Sequence, residues 1–131
     1  MKLIALFAAI LMCPALKAQD IPASEVPAAV QKAFEAKFPK VADLEWEKQG
    51  NRYEAEFHVN RVDHKAMLGE TGQLEKYKHD IRAAELPQAV RDAISTNYKE
   101  YRIDDTERLE KGGTVFYQVE LDGEPHDQKL V

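Results

Sequence analysis

Cysteine is almost missing: the chain holds one, Cys13, and it falls in the apolar stretch at the start. A chain released from that stretch has none, so the fold must rest on its core and its backbone hydrogen bonds without a disulfide. No glycine-rich phosphate loop occurs, since Gly112-Gly113 reads as a hairpin turn. The hydroxyl residues Ser24, Thr71, Ser95, Thr96, Thr106 and Thr114 stand in no nucleophile elbow and beside no paired histidine. His58, His64, His79 and His126 follow no metal-ligand spacing. The reading is therefore of a non-enzyme, with no metal and no cofactor.

Long apolar runs are also scarce. Leu3 to Met12 is too short to span a bilayer, but behind Lys2 and ahead of Pro14 it has the form of a secretory signal. Leu16-Lys17-Ala18 offers the small residue for cleavage, leaving Gln19 as the new N-terminus. Cys13 allows an alternative, a lipid-modified lipoprotein cysteine, but Met12 is larger than the residue such a signal puts before its cysteine. The expected address is the periplasm or the exterior. Positive charge is short too: 23 acidic residues face 18 basic ones, a net charge of −5. Losing Lys2 and Lys17 with the leader makes the balance more negative by two. That balance argues against nucleic acid and anionic lipid as partners. What remains, residues 19–131, is long enough for a single domain.

What is present is a repeat. Val26-Pro27-Ala28-Ala29-Val30 returns sixty residues later as Leu86-Pro87-Gln88-Ala89-Val90. Ala33 and Ala93, Phe34 and Ile94, and Phe38 and Tyr98 follow in register, as in two copies of one unit. Ser24 as N-cap, Glu25 in the first turn and Pro27 beside it open a helix with Val30, Ala33, Phe34 and Phe38 on one face. Pro39 ends it.

Alternation then predicts strands over 44–48, 52–59, 62–68 and 73–79. Leu44, Trp46, Tyr53, Ala55, Phe57 and Val59 face inward, and Glu45, Glu47, Glu54, Glu56 and His58 outward. The second copy has its helix over 86–98 and strands over 104–111, about 115–121 and 126–131. Val115, Tyr117, Val119 and Leu121 repeat the dry face, now at an offset of sixty-four. The expectation is an α+β fold of two tandem helix-plus-antiparallel-meander repeats, with helices on one face of the sheet. Repeat 1 covers 21–81. Repeat 2 covers 82–131 and lacks the last strand, for a total of seven strands and an open edge.

The repeated Val/Leu-Pro-x-Ala-Val opening, Tyr53-Glu54-Ala55-Glu56 with Tyr117-Gln118-Val119-Glu120, and the turn Gly69-Glu70-Thr71-Gly72 resemble the PepSY-like proteins. These are grouped structurally with the β-lactamase-inhibitor protein fold. The resemblance spans nearly all of 21–131. It implies secreted or periplasmic bacterial proteins whose curved sheet, in the inhibitor relatives, grips an enzyme on its concave face. It carries over no specific contact residue.

The candidate contact surface is the polar sheet face (Glu54, Glu56, His58, Gln118, Glu120) or the open edge, docking a protein or peptide. The carboxylate pairs Glu45/Glu47 and Glu54/Glu56 each share a face, and a solvated strand surface is favoured over acid–base work. Trp46 is read first as core under the helix; with the strand turned over it becomes a partner anchor, and Tyr77 is a weaker case of the same kind. The alternatives are a small-molecule carrier that binds between helices and sheet, and a structural subunit that pairs through its edge. The oligomeric state is not fixed by the sequence.

Overall fold

The computed structural model describes residues 18–124 and 126–131. The leader expected over 1–18 lies, apart from Ala18, outside the described residues.

The chain begins with a short strand, β1 (Gln19–Ile21), and a 3-10 turn at Ala23–Glu25. Helix α1 (Ala28–Lys37) follows, and then strands β2 (Ala42–Gln49), β3 (Arg52–Val59) and β4 (Val62–Gly69). The order then repeats: β5 (Leu74–Asp80), a 3-10 turn at Ala83–Glu85, α2 (Gln88–Asn97), β6 (Arg102–Lys111), β7 (Thr114–Asp122) and β8 (Gln128–Leu130). All eight strands join one antiparallel sheet in chain order. The seven-strand expectation is corrected by β1, three residues too short and too polar to show as alternation. The strand expected over 73–79, observed as Leu74–Asp80, closes the first repeat in the sequence. In the element order it also opens the second, as β1 opens the first, and grouped so both units have four strands.

The helices start later than expected. Val26, ahead of a proline, is held extended at ψ 128°. Pro27, itself extended (φ −54°, ψ 141°), becomes the N-cap, and its carbonyl accepts the N–H groups of Val30 and Gln31. Ser24 is thus not the cap; it sits in the preceding 3-10 turn. Pro87 does the same for α2, with Val90 and Arg91 donating to its carbonyl. Phe38 leaves the helical region at φ −128° before Pro39.

Both helices lie on one face of the sheet. Under α1, Val30 and Phe34 pack with Val26, Trp46, Tyr53, Ala55, Phe57, Ala66 and Leu68, all buried. Phe34 meets Trp46 and Phe57 edge-on, at 5.2 and 5.0 Å between ring centres; such pairs add about 0.5–1.5 kcal/mol each beyond area burial. Under α2 the buried set is smaller: Leu86, Ile94, Val119 and Leu121. Leu44, expected beside Trp46 in the core, is instead 39% exposed. The register slips between Ala42 and Glu45, with Asp43 at φ 52°, and this bulge carries Leu44 away from the helix.

Between the two cores the covered face turns polar. His64 and His79 are cross-strand partners and stack at 5.1 Å. Arg108 stands opposite His79, and Glu110 opposite Tyr77.

Candidate functional site: the uncovered sheet face

The face away from the helices is built by strand parity. Tyr53, Ala55 and Phe57 point into the core, so Glu54, Glu56 and His58 point outward. The same alternation on β7 buries Val119 and Leu121 and turns Gln118 and Glu120 outward. The five polar residues expected on this face are therefore on it, but as two groups rather than one.

The first group is dense in acid. Glu54 lies between Glu47 and Met67, and Glu56 between Glu45 and Lys65. Carboxylate oxygens of Glu47, Glu54 and Glu56 come within 4.8 Å of one another. Partial burial, and then the charges of Glu56 and Glu47, hold the Glu54 carboxyl above its ordinary range against the opposing pull of Lys65. Lys65 donates to Glu56, which raises the lysine's own pKa. Three carboxylates so placed could gather a cation, yet Lys65 already supplies positive charge from within. His58 reaches Asp43 Oδ2 at 3.0 Å through Nδ1 and Asp63 Oδ1 at 2.6 Å through Nε2.

In the second group, Gln118 Nε2 and Lys78 Nζ both donate to Glu107, at 2.8 and 3.0 Å. Lys129 Nζ donates to Glu120 at 3.0 Å. Burial, and then Asp105, Asp63 and Glu107, push the Asp80 carboxyl upward beside them.

Between the groups runs a band that the sequence reading did not single out. Register aligns Lys65 with Lys78, Met67 with Lys76, Lys76 with Lys111 and Lys78 with Leu109, and Leu109 with Phe116. Phe116 is 39% exposed. The signal was present as Lys76-x-Lys78 at outward parity, but its alignment with Lys65 and Lys111 depends on pairing that a single strand does not reveal.

Trp46 and Tyr77 do not belong to this face. Trp46 is 5% exposed beneath α1. Tyr77 has the parity opposite to Lys76 and Lys78, packs against Phe38 at 5.1 Å, and its hydroxyl lies 2.7 Å from His64 Nδ1. As partner anchors both are corrected: the helix side claims them.

The family model described as "Putative beta-lactamase-inhibitor-like, PepSY-like" matches residues 13–76 and again 68–130. The chain belongs to the PepSY-like family. Solved structures agree on the fold of this PepSY-like protein. A DUF2874 family protein from Bacteroides uniformis is 22% identical, covering 76% of this chain and 74% of that one, at a TM-score of 0.68. A structure described as "putative periplasmic proteins" from Bacteroides eggerthii is 19% identical over 76% and 73%, at 0.68. A BLIP-like protein from Bacteroides fragilis is 18% identical over 79% and 86%, at 0.65. A search of curated proteins finds no match.

Proposed function

We propose that this PepSY-like protein is a non-catalytic binding protein of the periplasm or exterior, and that it holds a protein or peptide partner against its uncovered sheet face. One observation carries the reading. Among the described residues the eight-stranded sheet has helices on one side only, and the other side is ordered into an acidic group, a lysine band with Met67, Leu109 and Phe116, and a second acidic group. Banded charge around a few apolar side chains suits specific docking, because misaligned partners meet like charge. The family description and the BLIP-like relative support an inhibitor-like role, and the relative described as periplasmic supports the address. Among the described residues no helix is long and apolar enough to cross a membrane.

The test is capture from native envelope extract with the unaltered protein and two face variants, Glu54→Lys/Glu56→Lys and Lys76→Glu/Lys78→Glu. A partner held by the unaltered protein and lost by both variants, with unchanged circular dichroism, supports the reading. Equal recovery by all three overturns it. For a small-molecule carrier, the alternative, the open groove beside α2 offers apolar lining between helix and sheet; a ligand-dependent rise in melting temperature distinguishes it.

A further inference from the structure

The internal repeat allows each position around α2 to be compared with its counterpart around α1. In the first unit β3 is paired along its whole length, with Tyr53 opposite Leu68 and Arg52 opposite Gly69. Leu68 is 2% exposed in the core. The chain then turns at Gly72, with φ +94°, so close to α1 that a Cβ there would lie 2.8 Å from the Ala29 carbonyl oxygen and 2.9 Å from the Ala33 Cβ. The segment from Leu68 to Gly72 therefore closes the side of α1.

The second unit copies only the start of this ladder. Leu121 pairs with Gln128, Glu120 with Lys129 and Val119 with Leu130, and the Lys129–Glu120 ion pair repeats Lys65–Glu56. Beyond Leu130, among the described residues, no strand lies against the outer side of Thr114 to Gln118. Ala89 and Ala93, the counterparts of Ala29 and Ala33, line an open groove of about 380 Å³ with Val90, Ile94, Tyr117 and Leu130.

The opposite edge differs. There β1 leaves part of β2 unpaired, but a bulge, Asp43 and Glu45 blunt it. The free half of β7 reads Thr-Val-Phe-Tyr-Gln, without charge, proline or bulge, and Val115 and Phe116 are 41% and 39% exposed.

We propose that this half-edge and its groove accept an extended strand from a partner protein. The strand runs antiparallel to β7 and prolongs the established β7–β8 pairing. It sets an aliphatic side chain beside Tyr117, as Leu68 stands beside Tyr53, and a turn directly after it brings a glycine or other small residue against Ala89 and Ala93, as the Gly69–Gly72 turn does at Ala29 and Ala33. Backbone bonds supply affinity in such strand addition, and alternate side chains supply specificity. A second copy fits less well: paired about Phe116 of each copy, the end of its β8, which lies on the same outer side of β7, would run toward Thr114 of the first. The site is independent of the uncovered face.

The probe is a synthetic peptide with the sequence Leu68 to Gly72, the stretch that fills this place in the first unit, titrated into the isotopically labelled protein. Expected are amide shifts at Thr114–Gln118, Ala89 and Ala93. Val115→Asp and Ala93→Trp, both at exposed or half-exposed positions, should each weaken binding about tenfold or more. Glu54→Lys/Glu56→Lys should leave it within about twofold, so failure of the face reading and failure of this one are separable. No shifts at saturating peptide, or shifts confined to the uncovered face, overturn the proposal. So does a concentration-dependent mass that Val115→Asp abolishes, which would give the groove to a second copy.

Discussion

The two units share one element order, yet among the described residues the first buries nine apolar residues in its core and the second four. Matching positions explain the gap. Trp46, edge-on to Phe34, corresponds to Thr106, whose hydroxyl donates to the Ile81 carbonyl at 2.5 Å. Phe34 corresponds to Ile94, and among the described residues none pairs with Tyr117 on its outer side as Leu68 pairs with Tyr53. Duplication kept the backbone plan while the burial behind it diverged: one half is filled by aromatic rings, the other by a hydrogen bond and an open groove. A repeat that no longer needs to be self-sufficient can carry a vacancy, because β5 and β6 tie it to the better-packed half.

This asymmetry can be broken at several points. Phe34→Ala should cost the most, about 3–5 kcal/mol, because it empties the centre of the aromatic cluster. Ile94→Ala should cost less, about 2 kcal/mol, since its surroundings already open to the groove and little sealed cavity forms. Urea unfolding of both variants measures the difference, and equal losses would mean that the halves contribute alike. Thr106→Val should cost about 1 kcal/mol by leaving the Ile81 carbonyl without its hydroxyl donor; an unchanged midpoint would sink that assignment.

The polar seam between the halves gives a pH test. Burial, and then His79 facing it, lower the His64 pKa, while Asp63 opposes and His58 adds to the shift. A lowered histidine pKa means that the unfolded chain binds the proton more readily. Stability is thus full above the ordinary histidine range and declines as pH falls through it. His64→Gln should flatten that decline in melts between neutral and mildly acidic pH. The smallest effect is expected at Glu54, whose raised pKa means that its ionisation weakens the fold. Glu54→Gln should raise the melting temperature slightly at neutral pH, and the gain should vanish once pH drops below the carboxylate range.

Much of the fold was legible because it is written in parity and spacing. Val30, Phe34 and Ile94 recur at helical intervals, and Tyr53, Ala55 and Phe57 alternate, so their burial follows from the backbone period alone. Leu44 was misread because a bulge resets parity without a residue type that announces it. β1 escaped notice because three residues are too few for a period. The outward set on β3 and β7 was found by alternation, whereas its division by the lysine band was not. Lys65, Lys78 and Leu109 come together only through the register of three strands, and nothing within any one strand encodes that alignment.

The unbroken strand order, each neighbour being the next along the chain, also bears on how the molecule forms. Pairings β2–β3, β3–β4, β4–β5, β6–β7 and β7–β8 are hairpins with a low loop-closure cost, whereas β1–β2 and β5–β6 must each close across a helix. Each unit can therefore zip from its own hairpins, and the joining of β5 to β6 across α2 is the pairing expected to form last.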